Sequence, residues 1–147
     1  MAIEGRESIE IDAPIDAVYA VAADVEHLPR WQHDITAVEV IERDADGQQV
    51  LVDTATDAKV RTLRSRLRFS YTPPTEVRWR QESGDVKELD GTWTFEDLGD
   101  GRTRATYWMR VDLGRVLSLV IRGPIVGVLR GQLVDSMPAK LKADVEG

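Results

Sequence analysis

The hydrophobic positions of this chain change period twice before they settle. From Arg6 to Asp12 they alternate, Ile9 and Ile11 against Ser8 and Glu10, which predicts a half-buried first strand. Helical spacing follows from Pro14 to Ala23, with Ile15, Val18, Tyr19 and Ala22 on one face. Asp12 is the expected N-cap, Pro14 suits the first turn, and Asp16 complements the helix dipole. A short second helix is expected from Val25 to Trp31, bent at Pro29.

Alternation then returns in six runs, 36–43, 48–56, 60–71, 76–82, 87–96 and 103–111. Turn-forming residues separate them: Asp44-Ala45-Asp46-Gly47, Pro73-Pro74, Ser83-Gly84-Asp85 and Leu98-Gly99-Asp100-Gly101. The third run is the clearest. Leu63, Ser65, Leu67, Phe69 and Tyr71 share one face, and Arg64, Arg66 and Arg68 share the other. By the same parity Val77, Trp79 and Gln81 point inward, followed by Leu89, Gly91, Trp93 and Phe95, and then by Ala105, Tyr107, Met109 and Val111. Pairing inward with inward residues sets Trp93 opposite Tyr107 and Phe95 opposite Ala105. On the outer face it sets Glu96 by Arg104, Asp90 by Arg110 and Arg80 by Glu88.

Six strands in succession with short turns make an antiparallel meander, and its apolar face needs a cover. The helical stretch from Leu117 to Val145 is the only element long enough. The expected fold is therefore α+β: a curved antiparallel sheet of about seven strands wrapped around a long C-terminal helix, with two short helices after the first strand. Residues 1–147 form a single domain, without repeat or linker.

Composition removes several kinds of function. The chain has no cysteine, so a disulfide framework, a thiolate metal site and a cysteine nucleophile are excluded. A net charge of -7 argues against nucleic acid as a partner. The N-terminal residues lack the basic start and apolar run of a signal peptide, which makes a cytoplasmic location the expectation. Val116 to Val134 is apolar but carries Arg122 and Arg130 near its middle, so it reads as a buried helix, without stable membrane insertion.

Several segments are also familiar in their order and spacing. Ile11-Asp12-Ala13-Pro14-Ile15-Asp16-Ala17-Val18, Asp24-Val25-Glu26, Leu28-Pro29-Arg30-Trp31 and Gly84-Asp85-Val86-Lys87 are among them. Gly91-Thr92-Trp93-Thr94-Phe95-Glu96, Arg102 to Tyr107 and Met137-Pro138-Ala139-Lys140-Leu141-Lys142 continue the series. Together they resemble the START-like (SRPBCC) superfamily and its polyketide cyclase/dehydrase family over nearly the whole chain. The resemblance implies a helix-grip fold with a pocket between sheet and C-terminal helix. It implies no single activity, since that superfamily includes lipid carriers, quinone-binding proteins, aromatase/cyclases, hormone receptors and chaperone activators.

Candidate chemistry is sparse. His27 with Asp24 and Glu26 could be drawn as a cluster, but a solvated helix end is the simpler reading, and no metal or other cofactor is expected. His33 reads as a surface or capping residue. The arginine stripe reads as cross-strand pairing. The inward aromatics and polar groups describe a mostly apolar small-molecule site. Ser65, Phe69, Tyr71, Gln81, Trp93, Tyr107 and Met109 from the strands, with Ile121, Gly127 and Val128 from the C-terminal helix, are the expected ligand-binding residues. Gly123, Gly127 and Gly131 recur every four residues, each costing a helix about 1 kcal/mol relative to alanine. They are read as space for the ligand, and Gly123-Pro124 as a candidate break.

The first expected function is binding or transport of a hydrophobic small molecule such as a lipid, isoprenoid, quinone or polyketide. A cyclase/dehydratase using Tyr71, Tyr107 or His33 for proton transfer is the alternative, with no catalytic residue assigned. A protein-binding module is a third. Trp108 falls on the outer face, where stacking on an arginine or a homodimer contact would account for it.

Overall fold

The structure, a computed structural model, describes residues 2–147. Seven strands pair in one antiparallel sheet: β1 (Ala2–Ile11), β2 (Ile35–Arg43), β3 (Gln49–Asp57), β4 (Thr62–Thr72), β5 (Glu76–Gly84), β6 (Glu88–Gly99) and β7 (Arg102–Asp112). Their order is β1-β7-β6-β5-β4-β3-β2, a six-stranded meander whose last strand also receives β1. Helix α1 (Ile15–Ala23) and a 3-10 turn (Val25–Arg30) follow β1. The chain ends in α2 (Gly114–Val120), α3 (Pro124–Arg130), a π turn (Gly131–Asp135) and α4 (Met137–Glu146).

Alternation places the side chains as expected. Phe69, Trp79, Trp93, Phe95, Tyr107 and Met109 are buried on the concave face, where Leu129, Val134, Met137 and Leu141 from the C-terminal helical run join the same core. Trp93 lies opposite Tyr107, Phe95 opposite Ala105, Glu96 opposite Arg104 and Asp90 opposite Arg110. Arg66 donates to Asp53 at 2.7 Å on the outer face, and that hydrogen bond holds the Asp53 carboxyl below its usual range. These exposed pairs set register more than stability.

One register differs. Arg80 faces Asp90, not Glu88, and Glu88 instead pairs with Arg110 at 3.4 Å. The cause lies in Ser83-Gly84-Asp85, which is no tight β5–β6 turn. β5 continues along β4 as far as Gly84, which lies opposite Ser65, and the Asp85 N–H donates to the Arg64 carbonyl at 2.9 Å. A Cβ at Gly84 would stand 2.6 Å from that carbonyl oxygen, so only glycine allows this close approach. The wide connection then turns Val86 into the core.

The helix starts and breaks also have local causes. α1 is capped by extended Pro14 with no side-chain cap, and Asp12 lies outside it, its N–H donating to Glu146 Oε2 at 2.9 Å. The C-terminal helix does not begin as one rod at Leu117. α2 and the run Pro124–Glu146 meet at 112°, across a break where Gly123 takes φ 66° and Pro124 starts the new helix. Further on, Pro138 has no N–H to offer Val134. The run widens just before it, and the Ser136 N–H reaches back five residues to the Gly131 carbonyl at 3.0 Å.

Candidate functional site

A cavity of about 110 Å³ lies between the concave face of the sheet, the segment after α1 and the π turn. β4, β5, β6 and β7 supply its apolar wall, including Leu67, Phe69, Trp79, Trp93 and Met109. Leu133 and Met137 close it from the helical side. The aromatic rings form a continuous wall because inward residues of adjacent strands are neighbours. Phe69 and Trp79 centroids are 5.9 Å apart, Trp79 and Tyr107 5.6 Å, and Tyr107 and Trp93 4.7 Å.

Of the ten residues expected to bind a ligand, Ser65, Phe69, Trp93, Tyr107 and Met109 line this cavity, and the other five do not. The Tyr71 hydroxyl donates to the Gln49 carbonyl at 2.6 Å, beyond the cavity wall. Gln81 supports the wall from behind: Ser65 donates to its Oε1 at 2.8 Å, and its Nε2 donates to the Val86 carbonyl at 2.9 Å. Ile121 is buried in the core at the end of α2. Gly127 and Val128 face away from the sheet, and a Cβ at Gly123, Gly127 or Gly131 would meet nothing within 4 Å. Gly123 and Gly127 are exposed and Gly131 is half-buried, and none of the three lines the cavity. The 112° bend after α2 re-aims the helix from Gly123 onward, which regular helical spacing from Leu117 does not show.

Four polar cavity residues, Gln32, Asp34, Thr54 and Thr56, are absent from the expected set. The two threonines are legible in the alternation: Val52, Thr54 and Thr56 continue one parity on β3, opposite Leu67, Ser65 and Leu63. Gln32 and Asp34 sit in the irregular link before β2, where no period exists to read. Asp34 is the one acidic residue on the cavity lining. It also lies 3.4 Å from Lys140 Nζ, tying the link to α4.

Tyr107 is the most informative group. Its hydroxyl is buried among rings, and its hydrogen bond goes to Met109 Sδ at 3.4 Å, a poor acceptor. Burial raises its pKa, so the group keeps its proton and serves as a donor. His33 is exposed outside the cavity, with its Nε2 3.0 Å from the Arg30 carbonyl oxygen. The Asp24, Glu26 and His27 ligand atoms lie within 4.8 Å of one another, but His27 pairs with Asp24 at 2.9 Å and Arg43 takes Glu26 at 2.9 Å. Trp108 is half-buried on the outer face and donates to Glu4 Oε2 at 3.0 Å.

The family model described as polyketide cyclase/dehydrase and lipid transport matches residues 2–146. Among solved structures, a START superfamily protein from Mycobacterium smegmatis is 17% identical with TM-score 0.83, covering 97% of both chains. The protein TTHA0849 from Thermus thermophilus is 23% identical with TM-score 0.82, again covering 97% of both. The Zhui aromatase/cyclase from Streptomyces sp. R1128 is 20% identical with TM-score 0.78, covering 99% of this chain and 94% of its own. At these identities the likeness is one of fold. No curated protein matches the chain.

Proposed function

The chain belongs to the polyketide cyclase/dehydrase and lipid transport family, and from that premise we propose that it binds a hydrophobic small molecule carrying one oxygen acceptor. The observation that carries this reading is the Tyr107 hydroxyl, a buried donor left with only a thioether partner at the wall of an apolar cavity. A buried donor gains from a better acceptor, and a ligand carbonyl or hydroxyl oxygen supplies one. Size limits the occupant. An apolar void of about 150 Å³ takes up benzene, so the present cavity of about 110 Å³ takes a segment of a longer molecule, or a single ring once its walls give slightly. Anything larger requires Leu133 and Met137 to move outward with the π turn.

Phenol and benzene form a matched pair of probes. Wild type is expected to prefer phenol, and Tyr107→Phe to lose that preference by about two- to tenfold, the worth of one hydrogen bond. Its melting temperature should barely change, because only a weak bond is removed. Equal affinity of wild type and variant for both probes would overturn the assignment. Native mass spectrometry of protein from its own host would then identify the natural occupant.

A cyclase or dehydratase is the second reading, favoured by Asp34, the one acidic residue among those that line the cavity. Under it, Asp34→Asn removes turnover of a polyketide-type substrate while phenol uptake persists. Turnover unaffected by that change would dismiss Asp34 as the base.

A further inference from the structure

The helical elbow outside the cavity is apolar where a soluble helix is normally polar. Val116, Leu119 and Val120 of α2 stand at i, i+3 and i+4 and are 75%, 67% and 55% exposed. Leu113 and Leu117 on the adjoining side are buried, so the apolar surface of the helix is only partly covered. Beyond the break, Val128 of α3 is 56% exposed beside outward Gly127 and Pro124. The buried helix expected over this stretch is thus buried on one side only.

Charge decides what covers the other side. Residues 113–134 hold Arg115, Arg122 and Arg130 and no Asp or Glu, in a chain of net charge -7. All three arginines are exposed. Arg130 lies 3.7 Å from Asp135, while Arg115 and Arg122 have no ion-pair partner among the described residues. A second copy docked by the same face would bring the same cations against these, and the nearest carboxylates, Asp112 and Asp135, lie only at the two ends of the segment, Asp135 already beside Arg130. An anionic lipid surface offers apolar depth for the valines and leucine and phosphate for the arginines.

We propose that the α2–α3 elbow is a peripheral docking surface for anionic phospholipid membranes. No single helix among the described residues is long and apolar enough to cross a bilayer, and the elbow reaches that length and composition only as a pair bent by 112°. Docking needs no ligand in the cavity, so its failure and the failure of the binding reading are separate results.

The test is co-sedimentation of the full chain with phosphatidylcholine vesicles and with vesicles containing about one-third phosphatidylglycerol. Wild type should pellet with the anionic vesicles and weakly with the neutral ones, with affinity falling as salt rises. Arg115→Gln should weaken binding about fivefold, and Arg122→Gln should do the same. The Leu119→Ser, Val120→Ser double variant should bind at least tenfold more weakly at an unchanged melting temperature, since both side chains are exposed. Equal pelleting with both vesicle types, or none with either, would overturn the proposal. So would serine substitutions that turn a sedimenting dimer into a monomer without altering vesicle binding, which would make the elbow a self-association surface.

Discussion

Trp93→Ala is expected to lower stability by about 3–5 kcal/mol, a large loss for the truncation of one core side chain. Trp93 is the largest fully buried side chain, and its ring touches Trp31, Phe95 and Tyr107 with centroids 6.4, 6.0 and 4.7 Å away. Three elements lean on it: the segment after α1, its own strand β6, and β7. Removing the indole leaves a void continuous with the existing cavity, and the rigid strands on either side cannot collapse to fill it. For a domain of this size the melting temperature should fall on the order of 10 °C. The enlarged cavity should also take up benzene more tightly than wild type does. Denaturant melts with and without benzene measure both effects. A loss below about 1 kcal/mol would mean that the ring wall repacks freely and is not the framework of the site.

The second large effect is expected at Gly91, a residue with no side chain to lose. Gly91 lies opposite Trp79 in the β5–β6 ladder, and a Cβ there would stand 2.4 Å from the indole. Trp79 lies flat across the glycine because nothing projects from it. In Gly91→Ala the indole must shift, and the open space available to it is the cavity it lines. Overpacking of this kind costs about 1–3 kcal/mol, and phenol uptake should fall with it. The cause can be isolated by a double-mutant cycle with Trp79→Ala. In that background Gly91→Ala should be neutral or slightly stabilising, because alanine restricts the unfolded chain more than glycine does. A full penalty at Gly91 even without Trp79 would place the constraint in the backbone instead.

How much of the fold is legible in the sequence depends on whether a stretch has a period. β4, β6 and β7 alternate through most of their length, so their inward rings follow from parity, and pairing inward with inward across the β6–β7 hairpin sets Trp93 opposite Tyr107. Ser83-Gly84-Asp85 misleads, because glycine in a tight turn and glycine at a close strand approach look the same in one dimension. The C-terminal helix fails for a different reason. Helical spacing fixes which residues share a face but not which face meets the sheet, and Gly123 and Pro138 each reset that direction. Gln32 and Asp34 reach the cavity from an irregular link, where tertiary placement alone brings them in.

The place of β1 in the sheet sets an order of events during synthesis. Its neighbour is β7, and the Ser8–Thr106 hydroxyl pair joins residues 98 apart. At about 5–20 residues per second, the ribosome takes roughly 5–20 s to make the strand that β1 requires. β2 to β6 can zip up one hairpin at a time meanwhile, each closing a short loop. Ile3 and Ile11, buried in the finished protein, stay without their cross-strand neighbours until β7 emerges. The nascent chain therefore carries a sheet with β6 as a temporary open edge, and β7 is the strand that ends its exposure to wrong partners.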